Sequence, residues 1–174
     1  MKVVKIQIEN YRLLRDFSID LEDELSLIIG KNNTGKTSVL SALDKFLTQS
    51  EKNKFLFDDF NIDFKSEIKS FIENANEMSN ETYVPFAITL KLYIEYNEKD
   101  NLSNISRVMM NLDPDNNLIV LGFEYSLEFT NYLRLRSDFK IFEANEKTKY
   151  LANPNYTIRN IYSFLQQHHA EYFT

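Results

Sequence analysis

The sequence predicts an α/β fold: an N-terminal hairpin, a parallel core strand leading through a glycine-containing loop into a helix, and an added antiparallel β-sheet. Three observations carry this. Leu25-Ser26-Leu27-Ile28-Ile29 is nearly all apolar, the composition of a strand covered on both faces. Val39, Leu40, Leu43, Phe46 and Leu47 follow at helical spacing. From Val84 onward, long stretches alternate apolar and polar residues, as antiparallel strands with one wet face do.

The chain has 174 residues, 43% hydrophobic and 26% charged. That is room for one domain with a sizeable core, and it excludes a disordered tail or a collagen-like repeat. With no Cys, disulfide frameworks, cysteine-ligated zinc and thiol nucleophiles are excluded. A net charge of −6 argues against a chain that wraps nucleic acid over its whole surface. No run of about 18 apolar residues is present, and Met1-Lys2-Val3-Val4-Lys5 lacks the apolar core of a signal peptide. A soluble, cytoplasmic protein without a membrane anchor is expected.

Val4, Ile6 and Ile8 alternate with Lys5, Gln7 and Glu9, and after the link Asn10-Tyr11-Arg12 the residues Phe17, Ile19 and Leu21 alternate with Ser18, Asp20 and Glu22. These are two strands of a hairpin. The core strand over 25–29, the loop Gly30–Thr37 and a helix to about Thr48 complete a first unit, residues 1–50. Ile68, Phe71, Ile72 and Ala75 predict a helix capped by Asp63 or Ser66 within a helical insertion, 51–82. Residues 83–145 then read as the antiparallel sheet with a helix. Its strands run over Phe86–Tyr96, Ile119–Phe129 and Leu133–Ile141, and its helix spans Leu102–Leu112. Asp113-Pro114-Asp115 is a turn, with Pro fixing φ. Residues 146–174 hold a C-terminal helix from about Thr157 to Ala170.

Gly30-Lys31-Asn32-Asn33-Thr34-Gly35-Lys36-Thr37 matches G-x-x-x-x-G-K-[ST], the P-loop. Gly30 and Gly35 permit backbone angles and a close approach that a Cβ blocks. The loop amides, including those of Asn32, Asn33 and Thr34, and the helix N-terminus form a phosphate cradle. Lys36 supplies a point charge for the β- and γ-phosphates, Thr37 a hydroxyl for Mg²⁺, and Ser38 a further phosphate contact. The expected cofactors are therefore ATP and Mg²⁺.

Asn10-Tyr11-Arg12 followed by IIGKNNTGKTSVLSAL resembles the N-terminus of the ABC-type P-loop ATPase heads. That group includes the structural-maintenance-of-chromosomes proteins, the RecF-like repair proteins and the OLD-family (overcoming lysogenization defect) ATP-dependent endonucleases. The Asn32-Asn33 pair is closest to the OLD style. The specific match covers residues 1–48. The resemblance implies that Asn10, Tyr11 and Arg12 line the adenosine side of ATP or touch its phosphates; a buried Tyr11 and a solvated Arg12 are the alternative. It implies that Gln166 or Gln167 is the metal-contacting glutamine of these heads, that two heads pair as a homodimer, and that DNA is engaged by regions beyond this chain. It further implies coupling of ATP binding or hydrolysis to DNA cleavage or repair, with defence against phage as the narrowest form of that role.

No catalytic set is complete here. The only glycine outside the loop is Gly122, so the Ser-Gly-Gly signature loop is absent, and Leu118–Glu124 lacks the Asp of a Walker B strand. The chain is thus expected to be part of a longer ATPase. A nucleotide-dependent switch or scaffold without hydrolysis, or a small self-contained P-loop enzyme, are the competing readings. A GTPase needs Asp-x-x-Gly, and position 119 is Ile. Asp58-Asp59, near Phe60, could approach Mg²⁺ but reads as a polar loop, and His168-His169 read as surface residues. Arg134, Arg136 and Lys140 form a basic strip on one strand face, which could bind phosphate backbones but reads as a solvated face.

Overall fold

In the computed structural model, residues 1–23, 26, 31, 34–48, 54–74, 79–97, 99–100 and 117–174 are described. Strands β1 (Lys2–Tyr11), β2 (Leu14–Asp20), β3 (Phe86–Glu95) and β4 (Leu118–Leu127) form one sheet in the order β2-β1-β3-β4. Every pairing in it is antiparallel. The hairpin register sets Ile6 opposite Ile19 and Ile8 opposite Phe17, so apolar residues gather on one face. On that face Ile6, Ile8, Ile88, Leu90, Leu92 and Ile119 are buried. The other carries Lys5, Gln7, Glu9, Lys91 and Tyr93, where the Tyr93 hydroxyl donates to Gln7 at 3.0 Å.

The helices among the described residues are α1 (Lys36–Leu47), α2 (Ile62–Glu73), α3 (Phe129–Ala152) and α4 (Ile161–His168). Val39 and Ala42 of α1, Phe64, Ile68 and Ile72 of α2, and Ile161, Phe164 and Leu165 of α4 join the sheet's inner face in one core. α2 is capped by Asn61, whose Oδ1 accepts from the Asp63 amide at 3.0 Å. An Asn one residue before the helix satisfies the first free amides, so neither Asp63 nor Ser66 takes that role. The chain's last residues return to the sheet. The Thr174 amide donates to Ser126 O at 3.0 Å, and the Ser126 amide to Thr174 O at 2.8 Å.

Three expectations are corrected. Leu133–Ile141 is not a strand but the middle of α3. The buried residues there are Tyr132, Leu135 and Phe139, three and four apart, whereas Leu133 and Ile141 are exposed. Helical spacing outweighs the apparent alternation, and no Gly or Pro interrupts 129–152. The basic strip dissolves with the strand. Arg134 stacks on the Tyr172 ring and donates to Glu171 O, while Arg136 donates to Asn74 O at 2.6 Å. His169 is buried rather than on the surface: the helix shortens to a 3-10 turn, His169–Glu171, which folds its ring against Phe57 and Phe60. The expected parallel strand over 25–29, apart from Ser26, and the expected helix and turn over 102–115 fall outside the described residues.

A buried carboxylate closes the far end of α3. Glu146 accepts from Tyr156 Oη at 2.6 Å, Arg159 Nη2 at 2.8 Å, Lys149 Nζ at 2.9 Å and the Arg159 amide at 3.1 Å. The Arg159 guanidinium, then the lysine, tyrosine and amide donors, outweigh burial and hold this carboxyl well below its usual range.

Candidate functional site

α1 begins at Gly35, whose φ of 88° lies in the left-handed region. A Cβ built there would stand 2.8 Å from Leu14 Cδ2 and 3.6 Å from Leu13 Cβ. Glycine is therefore favoured by the backbone angle, and any side chain there would also displace the end of Leu14 at the start of β2. Lys36, Thr37, Ser38 and Val39 form the first helical turn, which contains no acidic residue. Lys36 Nζ donates to Lys31 O at 2.6 Å, and Thr34 Oγ1 donates to the same carbonyl at 3.0 Å. The ammonium thus folds back over the loop. Thr37 is exposed and Ser38 buried. One ammonium, three hydroxyls and the amides of a helix N-terminus are the donor set that suits a polyphosphate and a hard, oxygen-loving cation. Gly30, Asn32 and Asn33 lie outside the described residues.

Asn10 and Tyr11, expected in the link, are the last residues of β1, with Tyr11 paired to Leu14, and the turn itself is Arg12-Leu13; this end of the hairpin is held from three sides. Asn10 and Arg12 both adopt positive φ, 63° and 47°, angles tolerated in a tight hairpin turn at some cost for non-glycine residues. Asn10 Nδ2 donates to Ala87 O at 2.7 Å, and Arg15 Nη1 donates to Asn10 Oδ1 at 2.6 Å. Tyr11 is fully buried, with its hydroxyl 2.8 Å from Ser41 Oγ on α1. Burial pushes its phenol up to about 12. Arg12 leaves its guanidinium partly exposed and donates through Nε at 2.9 Å and Nη2 at 2.8 Å to Asp59 Oδ1.

Asp59 was legible only as a loop residue, and this is the site's largest correction. Its neighbour Asp58 is exposed, but Asp59 has a side chain 1% accessible. The 3-10 turn Phe57–Asp59 turns it inward, where Oδ2 accepts from the Leu56 amide at 2.8 Å and pairs with Lys45 Nζ at 3.0 Å. Burial alone would raise the carboxyl; the Leu56 amide, Lys45 and Arg12 outweigh it and hold it below its usual range. An Asp-Asp pair beside aromatic Phe57 and Phe60 was the available signal. Gln166 lies on α4, lining a cleft of about 430 Å³ with Phe57, Ile62, Lys65 and Tyr162. Gln167 is exposed on the same helix.

Among the described residues, no helix is long and apolar enough to cross a membrane, and no three His, Asp or Glu side chains gather for a metal. The endonuclease GajA of Bacillus cereus (strain HuB5-5) is 27% identical over 136 residues, covering 75% of this chain and 20% of its own length. The DNA replication and repair protein RecF of Francisella tularensis subsp. mediasiatica (strain FSC147) is 27% identical over 130 residues, 73% of this chain and 33% of its own. RecF of Chlorobium phaeovibrioides (strain DSM 265 / 1930) is 46% identical over 43 residues, 25% of this chain and 12% of its own. The chain thus spans a third or less of the curated relatives it matches. These matches, to an endonuclease and to RecF, agree with the resemblance carried by the motifs in residues 1–48. The AAA ATPase domain family matches residues 1–173, nearly the whole chain with its Gly35-Lys36-Thr37 helix start, and the chain belongs to that family.

Proposed function

We propose that Gly30–Thr37 binds Mg²⁺-ATP, and that this chain is the nucleotide-binding part of an OLD/RecF-like ATPase. The observation that carries the reading is the start of α1: a left-handed Gly35 followed by Lys36 and Thr37 in a turn without acidic residues. Lys36 would hold the β- and γ-phosphates, Thr37 the Mg²⁺, and Thr34, Ser38 and the amides of Asn32 and Asn33 the remaining phosphate oxygens. When bound, Mg²⁺ neutralises phosphate charge. Arg12, beside the Leu13 contact to Gly35, supplies a second cation on the hairpin side, and Asn10 and Tyr11 set that turn. In the whole protein, ATP binding or hydrolysis is coupled to DNA cleavage or repair, with two heads pairing, DNA held elsewhere, and a cytoplasmic role in phage defence as the finest reading. The relatives' names, endonuclease and DNA replication and repair protein, support the DNA connection. A nucleotide-dependent switch without hydrolysis uses the same loop.

The test is calorimetric titration with Mg²⁺-ATP. Lys36→Ala removes the ammonium and is expected to weaken binding at least about tenfold, the equivalent of about 1.4 kcal/mol. Equal affinity in wild type and variant would show that the phosphates bind elsewhere. A parallel titration with Mg²⁺-GTP is expected to give weaker binding than ATP, because the Asp-x-x-Gly and Asn-Lys-x-Asp motifs that serve guanine nucleotides are missing. A preference for GTP contradicts the ABC-type reading.

A further inference from the structure

Asp59 touches both the β1–β2 hairpin turn and α1, the helix that follows the loop. Through Oδ1 it holds Arg12, at 2.9 Å from Nε and 2.8 Å from Nη2, and its main-chain carbonyl accepts the Arg12 amide at 2.7 Å. Arg12 precedes Leu13 and Leu14, the two residues whose side chains come closest to the position a Cβ on Gly35 would take. Through Oδ2 it holds Lys45 of α1 at 3.0 Å. Lys45 Nζ also donates to Lys54 O at 2.6 Å, so the ammonium is fixed at two points, and its side chain is only 12% accessible. One turn before Lys45 stands Ser41, held 2.8 Å from the Tyr11 hydroxyl, and one turn before that stands Thr37. Residues four apart share a helix face. The row Thr37, Ser41, Lys45 is therefore anchored at two of its three members by the segment around Asp59 and the Asn10–Arg12 turn. A rotation of α1 about its axis would break both anchors at once.

Resting on the reading of Gly30–Thr37 as the Mg²⁺-ATP loop, we propose that Asp59 is a positioning residue for nucleotide binding. It sets the rotation of α1, and hence the placement of Lys36 and Thr37, and in the same stroke fixes the Arg12–Leu13 turn against Gly35. It does this without touching the ligand. A buried carboxylate with two cations, an amide and, at 3.4 Å, the Tyr11 hydroxyl on its two oxygens has a defined geometry that an amide side chain of equal shape does not reproduce, because it loses both charge pairs and gains two protons that need acceptors.

Four variants separate this from a merely structural role: Asp59→Asn, Lys45→Met, the two combined, and Phe139→Leu as a control. Phe139 is buried between Phe142 and Phe164, away from the loop. Mg²⁺-ATP affinity is measured at about 15 °C, near the usual temperature of maximal stability, with the melting temperature of each variant recorded. Asp59→Asn is expected to weaken Mg²⁺-ATP about fivefold, Lys45→Met to act in the same direction, and the double variant to bind no more weakly than the weaker single one, the non-additivity of residues acting as a unit. Phe139→Leu loses stability but binds as wild type does. The proposal is overturned if Asp59→Asn stays within about twofold of wild type, if the two effects add, or if Phe139→Leu loses as much affinity as Asp59→Asn. Should Asp59→Asn not fold, Lys45→Met against Phe139→Leu decides by the same criteria. If wild type and Lys36→Ala bind Mg²⁺-ATP equally, the loop reading itself fails and this proposal falls with it; normal loss in Lys36→Ala beside an unchanged Asp59→Asn overturns this proposal alone.

Discussion

Phe60→Ala is expected to lower the stability of the fold by about 3–5 kcal/mol, the cost of emptying a buried phenylalanine site. The residue is 2% accessible. Its ring meets Phe173 at 5.0 Å, Phe57 at 5.3 Å, His169 at 5.8 Å, Phe64 at 5.9 Å and Tyr125 at 6.2 Å. These partners come from the 3-10 turn, α2, β4 and the C-terminal residues, so no single element can close the cavity by moving. Tilted and stacked aromatic contacts add to the lost burial. Domains are stable by only about 5–15 kcal/mol, and for one of this size about 2–4 °C of melting temperature follows each kcal/mol. A fall of roughly 6–20 °C is the expected result in thermal unfolding. A shift under about 2 °C would show that Phe60 is not the centre of the core.

The second large effect is on acid stability. Glu146 and Asp59 are carboxylates held below their ordinary values of 4.5 and 3.8. In such a case the unfolded chain binds protons that the folded chain refuses, so stability is complete above the unfolded value and drains away as pH falls through the folded one. The window accordingly opens near pH 4.5 and extends downward. Glu146→Gln keeps the shape but leaves the Arg159 and Lys149 charges without their anion. It is expected to be less stable than wild type at neutral pH, and its stability should fall less steeply below that window, with about one proton fewer taken up on unfolding. Urea unfolding at a series of pH values measures both. Parallel curves for the two proteins would refute the role given to Glu146.

The hairpin, the start of α1 and the two long sheet strands were legible because each rests on a local period that the tertiary structure respects. Ile6, Ile8, Ile88, Leu90 and Ile119 alternate in sequence and are buried in fact. The loop motif was legible for a different reason: its residue types have individual chemical duties. α3 was misread where Leu133, Leu135, Phe139 and Ile141 mimic alternation, and only the burial of Tyr132, Leu135 and Phe139 separates the two periods. Asp59 and His169 were misread because their burial depends on partners distant in sequence. Lys45 and Arg12 supply the charges for one. The carbonyl of Phe55, 114 residues away in the chain and 3.0 Å from one ring nitrogen, receives the other. No window along the chain contains these partners together.

The sheet order also has a consequence for how the chain is made. β1 sits between β2 and β3, and Lys2 pairs with Glu95. During synthesis the hairpin can close early, but one whole edge of β1 and the apolar face of the pair wait for residues that the ribosome has not yet added. At about 5–20 residues per second, the interval between the emergence of the two partner strands is roughly 5–20 s. Over that time Ile6 and Ile8 have only the local cover of the hairpin and whatever α1 and α2 provide. The nascent chain therefore carries an exposed strand edge for seconds, and a faster passage through the residues between β1 and β3, or a chaperone holding that edge, shortens the window for mispairing.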